Sequence, residues 1–289
     1  MVTTPQSRML GCSLFGLIRE CVYNSVSIMP FDLFSPDCLS IKLNLRVEEN
    51  YLKMSQVAAE LLVCELRNLL TIKPKAVVVL SAGGTPEMLY SLLVRKYKDS
   101  LDWRRVVLFQ MDDYWEMSVQ NPKSMAYYLL DKIVYPLNIG THYLLNVFTA
   151  KSIKLVESYT EFLDEFEEKI IAEGGIDIIV HGIGSNGHLG FNEPGSSFDS
   201  KARIVTLEKS TILENSRFFN SITEVPTQAV TLGLNTLSKA RKIFLLASGK
   251  NKKSAVRGCI LGPVTKSLPA SILRISSSTT FIVDKEAWF

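Results

Sequence analysis

The 289-residue sequence is poor in metal-binding side chains: it has three histidines and five cysteines, and neither set shows ligand spacing. Cys12, Cys21, Cys38, Cys64 and Cys259 are odd in number, far apart and free of any CxxC pair. That excludes a disulfide framework and a zinc knuckle, and predicts a reducing, cytoplasmic home. No apolar run reaches the ~18 residues that span a bilayer, so an integral membrane protein is excluded. A surplus of one charge is missing too, since 32 Lys and Arg against 29 Asp and Glu leave +3 with both signs interspersed. A polybasic nucleic-acid surface is therefore not expected, while a local patch for an anionic ligand stays compatible. Internal repeats and low-complexity linkers are also lacking. What is there is an ordinary globular composition, 47% hydrophobic and 21% charged.

The first forty residues differ from the rest, with three cysteines and no clear period. An apolar stretch around residues 10–18 follows Arg8, but Glu20 comes soon after and no small-x-small cleavage site is obvious. We read 1–40 as a poorly ordered N-terminal extension, or as sequence upstream of a start at Met29 or Met54, rather than as a leader.

From residue 41 to 289 the pattern predicts one α/β domain. Helical spacing over 48–70 places Leu52, Val57, Ala58, Leu61, Leu62, Leu66 and Leu70 three or four apart. The Val and Leu run over 76–80 suits a strand buried on both faces, and Pro86 is placed to open a helix. Further strands are expected over 106–111, 176–180, 229–232 and 242–247, with helices over 124–134, 152–173 and from about Asn251. Strand and helix in alternation imply a doubly wound, largely parallel sheet flanked by helices, Rossmann-like in outline. Ligands of such sheets bind beyond the carboxyl ends of the strands. Three of those positions carry unusual chemistry.

Ser81-Ala82-Gly83-Gly84-Thr85-Pro86 joins a strand to a helix. Its glycines let backbone approach a ligand, and a helix N-terminus can cradle phosphate without side-chain charge. It matches neither GxGxxG nor GxxxxGK[ST], so a nucleotide is not the natural ligand; a plain tight turn would also need glycine. Met111-Asp112-Asp113-Tyr114 sets two adjacent carboxylates at a strand end, where burial and repulsion would raise the pKa of one toward that of a general base. A cap or turn would equally favour Asp there. In Gly182-Ile183-Gly184-Ser185-Asn186-Gly187-His188-Leu189-Gly190-Phe191-Asn192-Glu193-Pro194, a glycine-rich turn presents an imidazole with a carboxylate five residues on. Such a carboxylate can fix the tautomer of a histidine and raise its basicity.

Together these motifs resemble the glucosamine-6-phosphate deaminase/isomerase family. The likeness continues in order through Asn215-Ser216-Arg217-Phe218-Phe219, Val225-Pro226, Thr231-Leu232-Gly233 and Gly249-Lys250-Asn251-Lys252. It implies a sugar-phosphate-isomerase-type α/β fold and conversion of an amino-sugar 6-phosphate to the ketohexose 6-phosphate plus ammonia. The resemblance implies no metal or organic cofactor. Carried over, Asp112 resembles the base that shuttles a proton between carbons 2 and 1, His188 the ring-opening acid/base and Glu193 its orienting partner. The phosphate would rest on Gly83, Gly84 and Thr85, with Arg217 and Lys252 completing the clamp. The implied partner is a small sugar phosphate, and since members range from monomers to hexamers a homo-oligomer is compatible.

Departures from the family pattern carry expectations of their own. Asn186 stands where the glucosamine enzymes have an aspartate paired with the histidine, and GxNGHLGxNEPG looks more like the galactosamine-6-phosphate branch. NSRFF looks more like the glucosamine branch, so the galactosamine substrate is only somewhat favoured. Asn186 is expected to bond the imidazole without stabilising its cation by charge, which would retune ring opening. Arg203 matches one effector-binding position of allosteric members, but Val205 replaces an expected lysine, so effector control is not expected. Two rivals are a 6-phosphogluconolactonase-like esterase, which would read GHxASLFP rather than GHLGFNEP, and a non-catalytic sugar-phosphate binder.

Overall fold

The computed structural model describes residues 43–146 and 159–289. The expected extension over 1–40, and the first residues of the helix expected over 152–173, lie outside the described residues. The strands are β1 (Asn44–Glu48), β2 (Ala76–Leu80), β3 (Val106–Gln110), β4 (Asp112–Tyr114), β5 (Thr141–Tyr143), β6 (Ile178–Gly182), β7 (Arg203–Thr206), β8 (Gln228–Thr231), β9 (Lys242–Ala247) and β10 (Thr279–Asp284). Between them lie the helices α1 (Tyr51–Ile72), α2 (Glu87–Tyr97), α3 (Met125–Leu129), α4 (Tyr159–Ala172), α5 (Lys209–Asn215), α6 (Leu234–Ser238) and α7 (Lys253–Leu261), and α8 (Lys285–Trp288) follows β10.

A seven-stranded sheet runs in the order β1-β10-β9-β6-β2-β3-β5, and every pairing in it is parallel. The sequence Ala-Val-Val-Val-Leu of β2 explains its central place, because all five side chains are buried. Val77 and Val79 face a core shared with Phe109, Phe166, Ile170 and Ile179. Val78 and Leu80 face the opposite core, with Leu62 and Leu66 of α1 and Leu89 and Leu93 of α2. A strand covered on both faces has no solvent side to show polar alternation, and each fully buried aliphatic contributes about 1.5–3 kcal/mol. Asn50 starts α1 by accepting the Lys53 N–H, and Met54, Ala58, Leu62 and Leu66 then face the sheet at four-residue spacing. From β2 the chain steps outward to β3 and β5, then returns to β6 on the other side and continues to β9 and β10. The topological switch therefore falls between β2 and β6, and a cleft opens beyond their carboxyl ends.

The strand expected over 229–232 is present, but it lies outside the main parallel sheet. It is β8, and it belongs to a separate antiparallel sheet in the order β4-β8-β7, with Asp112 opposite Thr231 and Ile204 opposite Val230. A short apolar run cannot report the direction of its neighbours, and β4 leaves the main sheet one residue after β3 ends. The helix expected over 124–134 is also not uniform. Ser124 caps α3 through the N–H groups of Ala126 and Tyr127, and the chain then widens into a π-helical turn over Leu130–Val134. Among the described residues, no helix is long and apolar enough to cross a membrane.

Candidate active site

The cleft at the switch point is lined by the turn Ser81 to Pro86, by Asp112, and by Gly184 and His188. Glu214, Arg217 and Lys252 complete its rim. Of the residues expected from sequence, Gly83, Gly84, Thr85, Asp112, His188, Arg217 and Lys252 thus share one cavity. Asn186 and Glu193 stand behind His188 instead.

Three tyrosines orient the turn after β2. The Tyr90 hydroxyl donates to the Ser81 carbonyl at 2.6 Å, Tyr51 to that of Gly84 at 2.9 Å and Tyr128 to that of Gly83 at 3.4 Å. Holding the carbonyls on that side turns the peptide dipoles, so the amide edge and the start of α2 are presented as an anion cradle. None of these tyrosines was legible beforehand, since a tyrosine on an amphipathic helix face gives no sign that its hydroxyl grips a distant turn.

The two carboxylates after β3 divide sharply in environment. Asp113 is fully buried and accepts six hydrogen bonds of 2.8–3.1 Å, from Gln110, the Tyr114 N–H, Ser124, the Met125 and Ala126 N–H groups and Asn146. Burial pushes its carboxyl up, and these donors pull against it. Asp112 faces the cleft at 6% exposure, and burial, reinforced by the charge of Asp113, pushes its pKa up to about 8. It is therefore the carboxylate poised to exchange a proton near neutral pH. Gly190, at φ +59°, packs against it so closely that a Cβ there would lie 2.9 Å from Asp112 Oδ2.

His188 is held by its surroundings as the sequence predicts in part. Its Nδ1 lies 3.4 Å from Glu193 Oε2 and 3.3 Å from Thr211 Oγ1, which fixes the ring and leaves the Nε2 edge for the cleft. Burial opposes ionisation of Glu193, but hydrogen bonds from His188, Thr211 and Asn186 outweigh it and hold the carboxyl below its usual range. The expected bond between Asn186 and the imidazole is corrected. The Asn186 Nδ2 donates to Glu193 at 2.9 Å, and its Oδ1 accepts the His188 main-chain N–H at 3.1 Å. An amide can do both because it carries a donor and an acceptor; a carboxylate could do only the second. Arg203 likewise turns inward, donating to Asn192 at 2.8 Å and Ser196 at 3.0 Å, so it braces the turn carrying Glu193.

The imidazole packs against bare backbone. A Cβ on Gly184 would stand 2.4 Å from two atoms of the His188 ring. Gly184→Ala is therefore expected to displace the ring and lower turnover roughly a hundredfold, the scale of an ångström's misplacement, while binding of inorganic phosphate persists. Turnover within threefold of the parent would show that the position of His188 is immaterial.

The cationic side of the cleft comes from two loops. Phe219 packs edge-on to Tyr114 at 5.5 Å and anchors the segment after α5, while Arg217 lies over the exposed ring of Phe218 at 4.7 Å. The Arg217 Nη2 reaches within 3.6 Å of the position a Gly84 Cβ would take. Lys252 is 7% exposed and its ammonium is ion-paired with Glu214. Glu214 escaped the sequence reading, although a charged residue directly ahead of Asn215-Ser216-Arg217 was a signal. Among the described residues no cluster of three or more His, Cys, Asp or Glu side chains is placed to hold a metal ion.

The family model for glucosamine-6-phosphate isomerases/6-phosphogluconolactonase matches residues 49–282. The glucosamine-6-phosphate deaminase of Thermoanaerobacter sp. (strain X514) is 40% identical over 239 residues, covering 82% of this chain and 91% of that protein. That of Clostridium acetobutylicum is 37% identical over 243 residues, 82% and 95% of the two chains. A solved monomeric glucosamine-6-phosphate deaminase of the NagB superfamily superposes with a TM-score of 0.76 at 33% identity, over 85% of this chain and 98% of the other. The 6-phosphogluconolactonase of Thermotoga maritima shares the fold at a TM-score of 0.66 and 20% identity, over 84% of this chain and all of the other.

Proposed function

The chain belongs to the glucosamine-6-phosphate isomerase/6-phosphogluconolactonase family, and within it we propose an amino-sugar-6-phosphate deaminase that acts on glucosamine 6-phosphate. The observation that carries this reading is the placement of Asp112, a buried carboxylate facing the same cleft as a carboxylate-oriented histidine and a phosphate-type turn. Lactone hydrolysis needs no base for a carbon-bound proton, whereas aldose–ketose isomerisation does. The esterase reading rests on the shared family model and on fold, neither of which assigns chemistry.

In this mechanism the phosphate lies on Gly83, Gly84 and Thr85 between Arg217 and Lys252. His188, oriented by Glu193, passes the anomeric proton to the ring oxygen and opens the sugar. Asp112 as carboxylate takes the proton from carbon 2 and returns it to carbon 1, while the carbon 1 carbonyl oxygen takes up a proton lost from the amino nitrogen, so carbon 1 becomes a hydroxymethyl group and carbon 2 an imine. Water adds there and ammonia leaves, so amino-sugar phosphate plus water yields ketohexose phosphate plus ammonia. The curated relatives carry the glucosamine name, which is why that substrate is preferred over galactosamine 6-phosphate. We place the enzyme in the cytoplasm and assign the extension over 1–40 no part in the reaction.

The test is ammonia release from glucosamine 6-phosphate and galactosamine 6-phosphate, side by side, with purified protein and no added metal. Release from the glucosamine compound in excess, and almost none from unphosphorylated glucosamine, is expected. Preference for the galactosamine compound would correct the substrate. Hydrolysis of 6-phosphogluconolactone without ammonia release from either sugar would overturn the reading.

A further inference from the structure

Glu214 sits at the end of α5 with one carboxylate oxygen on the Lys252 ammonium and the other accepting the Ser185 hydroxyl at 3.0 Å. Both partners of the ion pair are largely removed from water, with side-chain exposures of 9% for Lys252 and 16% for Glu214. A pair so placed is weakly screened, and Lys252 is therefore not a free cation awaiting a ligand. Burial opposes the charge of Glu214, but Lys252, Ser185 and nearby His188 outweigh it and hold the carboxyl below its usual range. Ser185 belongs to the same turn as His188, so the carboxylate is fixed from the catalytic side as well.

We propose that Glu214 is a built-in counter-anion of the phosphate site, which competes with substrate and product phosphate for the Lys252 ammonium. The proposal deepens the reading of Lys252 as a phosphate ligand and rests on it. An incoming phosphate dianion must take the ammonium from a carboxylate already bonded to it. Substrate affinity is thereby held down, and the ketohexose phosphate leaves with the ion pair re-forming behind it. Binding substrate and product phosphate more tightly would lower the Michaelis constant without lowering the barrier to the chemical step.

Glu214→Gln keeps the shape and one acceptor while removing the charge. Calorimetric titration with inorganic phosphate should show binding about tenfold tighter than in the parent, the scale of one charge-assisted hydrogen bond released to the ligand. The Michaelis constant for glucosamine 6-phosphate and the inhibition constant of fructose 6-phosphate should fall by a similar factor, a gain that lost packing would not produce. Adding Lys252→Ala to that variant should abolish the gain. Glu214→Ala serves as a second variant with the same expected direction. Phosphate binding unchanged or weakened in both variants overturns the proposal, even where the parent releases ammonia and the deaminase reading survives. Tighter phosphate binding in a protein that releases no ammonia upholds the counter-anion and discards the deaminase. Failure of parent and variants alike to bind phosphate overturns both.

Discussion

Replacing Asp112 by asparagine is expected to cut ammonia release by at least about a thousandfold while making the folded protein more stable. The loss follows from the chemistry, because an amide cannot carry a proton between two carbons, and general-base contributions run to roughly 10²–10⁴-fold or more. The gain follows from burial. The Asp112 carboxyl has a folded pKa of about 8 against an ordinary value of 3.8, so folding disfavours its charged form. With the folded pKa raised, the stability associated with the protonated group is fully present below about pH 4 and is lost as pH rises through about 8. Asparagine never ionises. The variant should therefore melt with the parent near pH 4 and increasingly above it toward pH 8, by up to about 6 kcal/mol at about 1.36 kcal/mol per unit of pKa difference. In the parent, kcat/KM should climb about tenfold per pH unit up to about pH 8 as the carboxylate forms. Retained turnover, or a pH-independent difference in melting, would remove Asp112 from its role.

Much of this site was legible because its chemistry is local in sequence. Gly83 and Gly84, Asp112, and His188 with Glu193 each follow a strand whose apolar run is unmistakable, and parallel sheets bring strand ends together at one edge. The strands over 76–80 and 242–247 coincide with the observed β2 and β9 for the same reason, a dense apolar run that no helix period explains. What was not legible depends on contacts distant in sequence. Asp113 and Asn146 are 33 residues apart, as are Tyr51 and Gly84. Glu214 and Lys252 are 38 apart, and although the charge ahead of Asn215-Ser216-Arg217 was visible, nothing in the sequence pairs it with Lys252. The antiparallel placement of β8 was hidden because Ala229, Val230 and Thr231 are all buried, which erases the alternation that marks a one-sided strand. Asn186 shows a subtler limit. The sequence reading singled it out, but assigned its side chain to the imidazole, whereas the amide bonds Glu193 and the main chain.

Asp113 provides the sharpest contrast, since the same substitution one residue along is expected to act with the opposite sign. Its Oδ1 accepts the Tyr114 and Met125 N–H groups, and its Oδ2 faces Gln110 Nε2, Ser124 Oγ, the Ala126 N–H and Asn146 Nδ2. In Asp113→Asn one oxygen becomes an amide nitrogen, and whichever side it occupies sets donor against donor in a fully buried position. The Ser124 hydroxyl can reverse its role, and the Gln110 and Asn146 amides can do so only by flipping away from the Asp112 and Met117 carbonyls they also bond; the main-chain donors cannot. Buried donors stripped of an acceptor cost about 1–3 kcal/mol each before relaxation, so a loss of about 3–5 kcal/mol is expected by urea unfolding. The damage should also reach function. These bonds join β4 to the start of α3, and Asp112 is the adjacent residue of β4, so turnover should fall with stability and recover little on cooling. An Asp113→Asn protein as stable as the parent would show that the two carboxylates are interchangeable and that Asp113 is not what holds Asp112 in place.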